Sequence, residues 1–140
     1  MIRRIIKKLL KRNSSSPPPS PPPPPRAKQP SGPDLANIEC DPQELWERIQ
    51  AGESVIILDV REEFERKQFG FLANALHIPL RELSTRWEEL KEANEIVCYC
   101  AAGARSYNAA MLLRENGLFN ATSLEGGIAA WKAISAPVSH

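Results

Sequence analysis

The stretch EIVCYCAAGARSYNAAMLLREN, residues 95–116, joins an apolar run to a helical pattern through a loop of small residues. The run at 95–99 is typical of a strand that is buried on both faces of a parallel sheet. SYNAAMLLREN, at 106–116, predicts a helix that Gly117 ends. Cys100 therefore follows a buried strand and precedes a helix.

Strand and helix patterns alternate along the rest of the chain as well. Short apolar runs predict further strands at 54–60, 75–79 and 121–125. Helical patterns predict helices at 62–69, at 128–134 and at 84–94, the last with Ser84 as its cap. A further helix is predicted to begin after the N-cap Asp41, with Pro42 at N1 and Glu44 at N3. This alternation favours an α/β fold with a parallel sheet covered on both faces. In such folds the ligand site lies at the carboxyl ends of the strands, which is where Cys100 lies.

Charge divides the chain into a basic tail and an acidic domain. Residues 1–33 hold eight of the eighteen Lys and Arg, ten of the thirteen Pro and none of the seventeen Asp and Glu. Residues 34–140 hold the other ten basic residues and all seventeen acidic ones, a net charge of about −7. We therefore expect one domain at 34–140, which is long enough to bury a core. We expect no nucleic-acid partner.

The first twelve residues, MIRRIIKKLLKR, carry apolar residues at helical spacing and Arg or Lys elsewhere. They predict a basic amphipathic helix, which at about 1.5 Å per residue is too short to span a bilayer. Four interpretations stay open: attachment to an anionic membrane surface, docking on a partner, organelle targeting, and a solvated tail. Residues 13–33 predict a proline-rich disordered linker of extended polyproline II character, which an SH3-like domain could also bind.

The three cysteines, Cys40, Cys98 and Cys100, are an odd number and too few for a disulfide framework. They favour a reducing compartment. We expect a cytoplasmic protein, peripheral to a membrane if residues 1–12 attach to one, with organelle targeting as the alternative. We interpret Cys98 as a buried strand residue rather than a resolving thiol, because a disulfide between it and Cys100 would be strained. We interpret Cys40 as structural.

The loop that begins at Cys100 has the composition of an anion-binding loop. Helix N-termini and the amides before them present unpaired N–H groups, which lower the pKa of a cysteine placed there. The small side chains leave the backbone unobstructed, the glycine tolerates positive φ, and the arginine is the loop's only cation. We predict that Cys100 is a nucleophile, with a buried cysteine before an ordinary loop as the alternative. The loop residues concerned are Ala101, Ala102, Gly103, Ala104 and Arg105.

Four stretches, in order along the chain, resemble landmarks of the rhodanese family. CAAGARS at 100–106 resembles the active-site loop C-x-x-G-x-R-S, and LDVRE at 58–62 resembles a strand motif of the family. GFLANALHIP at 70–79 resembles G-x-I-x-G-A-x-x-I-P, and LEGGIAAW at 124–131 resembles L-x-G-G-x-x-x-W. The resemblance covers residues 35–134 and leaves out the tail.

The resemblance implies a rhodanese-like three-layer fold, with a central parallel five-stranded sheet and helices on both faces. It also implies a sulfurtransferase that carries sulfane sulfur as a persulfide on Cys100. The donor would be thiosulfate or a small-molecule or protein persulfide, the acceptor a thiol or cyanide, and no metal or organic cofactor would be needed. The implied persulfide-binding loop comprises Ala101, Ala102, Gly103, Ala104, Arg105 and Ser106. Asp59 and Arg61 match family positions beside the site and are expected to support it as an ion pair, with a substrate role as the less favoured alternative.

Loop length separates sulfur chemistry from phosphate chemistry among the proteins that the chain resembles. The spacing from Cys100 to Arg105 is C-x4-R, as in sulfurtransferases, whereas the related phosphatases and arsenate reductases use C-x5-R. Asn74 stands where the family usually has Gly, and Asn tolerates left-handed backbone. Because the loop's alanines add no charge, a strong preference for thiosulfate is not expected.

A second function of a different class also stays open. The proline-rich linker and the basic segment are typical of a tether, so the domain could be a binding module with little catalytic role. The intact nucleophile loop favours the enzyme, because a binding module has no need of one.

Overall fold

The computed structural model describes residues 37–140. The predicted amphipathic segment at 1–12 and the predicted linker at 13–33 lie outside the described residues. The described elements, in chain order, are β1 (Glu39–Cys40), α1 (Pro42–Gln50), β2 (Ile56–Asp59), α2 (Glu63–Phe69), β3 (Leu76–His77), α3 (Leu80–Arg86), a 3-10 helix (Trp87–Leu90), β4 (Ile96–Tyr99), α4 (Ala104–Glu115), β5 (Ala121–Leu124) and α5 (Gly127–Ala133). None of the helices in this part of the chain is long and apolar enough to cross a membrane.

The five strands form one parallel sheet in the order β1-β5-β4-β2-β3. The sheet confirms the expected parallel five-stranded architecture. Strand β4 lies at its centre, where Ile96 pairs with both Ile56 of β2 and Ala121 of β5. The two-residue edge strand β1 was not predicted from the residues, because so short a segment has no periodicity to read.

Alternate residues of β4 supply two separate cores, one on each face of the sheet. Ile96 and Cys98 pack with α3, the 3-10 helix and α4, whereas Val97 and Tyr99 pack with α1 and α5. All four side chains are buried. Burial on both faces explains why this strand is a continuous apolar run rather than an alternating one.

The start of α1 follows the predicted capping pattern. The Asp41 carboxylate accepts a hydrogen bond from the Glu44 amide at 3.0 Å, and Pro42 occupies the first helical turn, where no N–H is needed.

The prediction of a helix capped by Ser84 was wrong. Helix α3 begins at Leu80, directly after Pro79, and Ser84 is an exposed residue inside it. The Leu83 side chain is fully buried in the core. A helix that begins at Leu80 includes Leu83 and buries its side chain, whereas a helix that begins at 84 would leave Leu83 outside the helix. The chain then tightens into the 3-10 helix, whose last residue, Leu90, is also buried.

Candidate active site

The loop after β4 turns back sharply and places Cys100 against the beginning of α4. Gly103 makes this turn possible, because its φ of 114° lies in the left-handed region. The helix starts at the next residue, and its first bond runs from the Tyr107 amide to the Gly103 carbonyl at 3.0 Å. Cys100 itself is only 1% exposed. The sulfur therefore lies at the bottom of the loop.

Several donors converge on the Cys100 sulfur. The amides of Gly103 and Ser106 donate to Sγ at 3.1 Å and 3.3 Å. The Ser106 hydroxyl oxygen lies 3.4 Å from Sγ, where it accepts from the neutral thiol and can donate to the thiolate. Burial raises the pKa of the thiol, but these hydrogen bonds, together with the Ala102 amide, outweigh it and leave the pKa below its ordinary value. The site therefore favours a thiolate at Cys100.

The pKa values of the other two cysteines, Cys40 and Cys98, are raised rather than lowered. Burial raises the pKa of Cys98 strongly, and it raises the pKa of Cys40 to about 12. Cys98 is fully buried in β4, and all three cysteines are free thiols. Among the cysteines, only Cys100 thus combines a lowered pKa with a position at the carboxyl edge of the sheet.

The N-terminus of α5 forms backbone hydrogen bonds to the loop that begins at Cys100. The amide of Ile128 donates to the Cys100 carbonyl at 2.9 Å, and the amide of Ala129 donates to the Ala101 carbonyl at 3.2 Å. A Cβ atom on Gly127 would lie 2.5 Å from the Cys100 carbonyl oxygen. The glycine pair of LEGGIAAW therefore allows two backbone segments to approach each other closely.

Arg105 does not present an unpaired charge to the site. Its two terminal nitrogens donate to the two carboxylate oxygens of Glu65 in α2, each at 2.8 Å. The hydrogen bonds from Arg105 lower the pKa of Glu65 to about 2, and the Glu62 amide adds a further bond at 3.0 Å. The positive charge of Arg105 is thus largely neutralised by Glu65, a pairing that was not predicted from the sequence.

Asp59 and Arg61 form a buried ion pair beside the loop. Arg61 donates to the carboxylate through Nε at 3.0 Å and Nη2 at 2.8 Å, and the Tyr99 hydroxyl donates to the same carboxylate at 2.7 Å. Arg61 also donates to the Gly70 carbonyl at 2.8 Å, while the Leu72 amide donates to the Tyr99 hydroxyl at 3.1 Å. Among the contacts of the described residues, neither Asp59 nor Arg61 bonds Cys100. The pair ties the loop at 70–72 to the sheet, which suits the expected supporting role.

The remaining loop residues surround the sulfur without side-chain chemistry, except for Ser106. The methyl groups of Ala101, Ala102 and Ala104 belong to exposed residues. The Ser106 hydroxyl is buried and lies 2.7 Å from the hydroxyl oxygen of Ser123 in β5. The structure thus assembles the predicted loop around Cys100 and adds a second serine.

Sequence reasoning missed two residues at this site, Glu65 and Ser123. A signal existed for Glu65, because Glu62 and Glu65 have the spacing of a capping box at the start of α2. No local signal existed for Ser123, which is seventeen positions from Ser106 and reaches it only through the pairing of β4 with β5.

Comparison with known proteins finds relatives and solved structures that are similar to this chain. A sulfurtransferase of Allochromatium vinosum is 34% identical over 100 residues, covering 71% of this chain and 92% of the relative. The thiosulfate sulfurtransferase GlpE of Coxiella burnetii is 32% identical over 90 residues, covering 64% of this chain and 82% of that protein. The crystal structure of a rhodanese-related protein from Thermoplasma volcanium matches with a TM-score of 0.65 at 38% identity, covering 71% of this chain and 95% of that one.

The match extends over most of the described domain. The model of the Rhodanese-like domain family matches residues 41–134, which include the strand ending at Asp59, the loop from Cys100 and the start of α5. The chain therefore belongs to the rhodanese-like domain family.

Proposed function

We propose that this chain is a sulfurtransferase that carries sulfane sulfur as a persulfide on Cys100. Membership of the family and relatives named sulfurtransferases support the class of reaction. The observation that carries the proposal to a residue is the set of donors around one sulfur. The Gly103 and Ser106 amides point at Sγ from 3.1 Å and 3.3 Å, and they stabilise the anionic, nucleophilic form.

The proposed reaction has two covalent steps. The Cys100 thiolate attacks the outer sulfur of a donor, the new S–S bond forms, and the old S–S bond breaks with its electron pair leaving on sulfite or on the donor's thiolate. An acceptor thiolate or cyanide then attacks the outer sulfur of the Cys100 persulfide and regenerates the thiolate. The cycle uses no metal or organic cofactor, because the cysteine itself holds the transferred atom. Ping-pong kinetics follow from this order.

The surroundings of the sulfur support an organic persulfide as donor over thiosulfate. Thiosulfate is a compact dianion, and the loop's one guanidinium, on Arg105, is already bonded to Glu65 through both terminal nitrogens. An organic persulfide carries at most one negative charge at its reacting end, so it brings less charge to a loop whose arginine is already paired. Such an end suits a nucleophile that is only 1% exposed.

Intact-protein mass spectrometry tests the proposal. The wild-type chain, incubated with thiosulfate or with the persulfide of N-acetylcysteine methyl ester, should gain the mass of one sulfur atom, and a reductant should remove it. Cys100→Ser should gain nothing, whereas Cys98→Ser, the matched control two positions earlier in β4, should keep the gain. Failure of the wild type to gain sulfur from either donor would favour the binding module instead.

A further inference from the structure

Ser123 has a buried hydroxyl that takes no part in the proposed reaction. It lies in β5, is 0% exposed, and pairs in register with Cys98 of the neighbouring strand. Its amide donates to the Ile38 carbonyl at 2.7 Å, so its backbone is held by β-type pairing at this edge. Its hydroxyl oxygen lies 2.7 Å from that of Ser106. Ser106 contacts the Cys100 sulfur through both its amide, at 3.3 Å, and its hydroxyl, at 3.4 Å.

The direction of the bond between the two serines follows from the inventory of donors and acceptors. The Ser106 hydroxyl has one proton and three neighbours: the Ser123 hydroxyl at 2.7 Å, the Gly103 carbonyl at 3.2 Å and the Cys100 sulfur at 3.4 Å. Within residues 37–140, the Ser123 hydroxyl has no hydrogen-bond partner besides Ser106. If Ser106 donated to Ser123, the proton of Ser123 would be buried without an acceptor, which is costly. Ser123 therefore donates and Ser106 accepts.

This direction leaves the single proton of Ser106 for the loop. Of its two remaining acceptors, the Gly103 carbonyl already accepts the Tyr107 amide at 3.0 Å. When Cys100 ionises, its sulfur becomes the only charged acceptor that residues 37–140 bring to the Ser106 hydroxyl. A hydrogen bond to a charged group is stronger than one to a neutral carbonyl.

We propose that Ser123 is a positioning residue that orients the Ser106 hydroxyl toward the Cys100 thiolate. The proposed function matters only for the consequence of this contact, which is that a larger fraction of Cys100 is reactive thiolate. The hydrogen-bond arrangement itself does not depend on which donor is used. Ser123 touches neither the sulfur nor a substrate, so its effect passes through Ser106.

The test is the pH dependence of the alkylation rate of Cys100 by iodoacetamide, followed by fragment-ion mass spectrometry so that Cys98 is counted separately. Ser123→Ala should raise the apparent pKa of the Cys100 thiol by about half a unit, which lowers the thiolate fraction about threefold below both pKa values. At a pH well above both values, wild type and variant should react at the same rate. A merely structural role would change the rate at every pH.

Thr122→Val is the matched control, because it removes a hydroxyl from the adjacent position of the same strand. Thr122 is 2% exposed, and its hydroxyl has no hydrogen-bond partner in the described part of the chain. This variant should leave the Cys100 pKa unchanged. An equal shift in Thr122→Val and Ser123→Ala would overturn the proposal.

A double-mutant cycle tests the route of the effect. Ser106→Ala should raise the thiol pKa by more than Ser123→Ala does, and adding Ser123→Ala to it should produce no further shift. A full additional shift in the Ser106→Ala background, or no shift in Ser123→Ala alone, would overturn the assignment. All these readouts use a thiol reaction, so they stay decisive even if no sulfur donor loads the wild-type protein.

Discussion

Gly127 shows at the scale of one residue how the active-site loop is held. Its φ of 62° lies in the left-handed region, and a Cβ atom there would meet Cys100 and Ala101 backbone atoms at 2.5–2.6 Å. Such distances require the backbone to shift. The shift would move the carbonyls that accept the amides of Ile128 and Ala129. The glycine is thus required for close approach as well as for its dihedral angle.

We predict that Gly127→Ala destabilises the protein and impairs persulfide formation. The forced shift should cost about 1–3 kcal/mol beyond the strain of a left-handed alanine. Urea unfolding measures the loss of stability, and the mass gain with a persulfide donor measures the loss of function. Because the loop backbone holds the Cys100 sulfur, the yield of persulfide should fall even at temperatures where the variant is folded.

Gly52→Ala is the control for this change. Gly52 also has positive φ, at 86°, but its Cβ would meet no atom within 4 Å. It should lose only the dihedral cost of about 1–2 kcal/mol and form persulfide as the wild type does. Equal stability and equal yield in the two variants would show that close packing against the loop does not matter.

At the scale of elements, an ion pair between Glu65 of α2 and Arg105 of α4 sets the charge beside the active-site loop. The Glu65 carboxylate is held by both terminal nitrogens of Arg105 and by the Glu62 amide. Because its pKa is lowered to about 2, Glu65 contributes to stability above its ordinary pKa and loses that contribution only as the pH falls toward 2. The pair is therefore fully charged at any pH near neutrality.

We predict that Glu65→Gln improves the use of thiosulfate. Removing the negative charge leaves Arg105 free to attract the dianion, and the KM for thiosulfate should fall about threefold, since a partly exposed ion pair is worth about 0.5–1 kcal/mol. The KM for the persulfide of N-acetylcysteine methyl ester should change less. Steady-state kinetics with each donor measure the difference.

Glu63→Gln is the matched control for charge, since Glu63 lies in the same helix, is 55% exposed in its side chain and pairs with His77 and Arg66 rather than with Arg105. It should leave the ratio of the two KM values unchanged. If Glu65→Gln changes both donors equally, the ion pair is only a structural link between the two helices.

At the scale of the whole chain, the charge is divided between a basic segment and an acidic domain. Residues 1–33 carry eight basic and no acidic residues, whereas the rest carries a net charge of about −7. A net negative domain is repelled by an anionic lipid surface, so an attachment there would depend on the tail. We propose that residues 1–12 supply it.

We predict that the full chain co-sediments with vesicles of phosphatidylcholine and phosphatidylserine, and that a chain lacking residues 1–12 does not. Binding should weaken as salt is added, because the attraction is partly electrostatic. The double variant Ile5→Asn and Leu9→Asn keeps every charge but interrupts the predicted apolar face, and it should bind less than the wild type. Equal sedimentation of the full and shortened chains would contradict the attachment.

Patterns within short segments predicted the elements that surround the site. The apolar run at 95–99, the cap at Asp41 and the small residues after Cys100 each act through neighbours along the chain, so each can be read locally. Asn74 is a further case, since its φ of 64° confirms that an asparagine takes the left-handed position expected there. The start of α3 was misread because the burial of Leu83, rather than a cap at Ser84, determines it.

The sequence by itself determined that an α/β domain would place Cys100 in a small, amide-rich loop at the end of a buried strand. Only the tertiary structure decided what surrounds that sulfur. Glu65 reaches the loop across forty positions, and Ser123 of β5 reaches Ser106 in the first turn of α4. Such contacts depend on the order of strands in the sheet and on how helices pack against it, and no local pattern of residues encodes either.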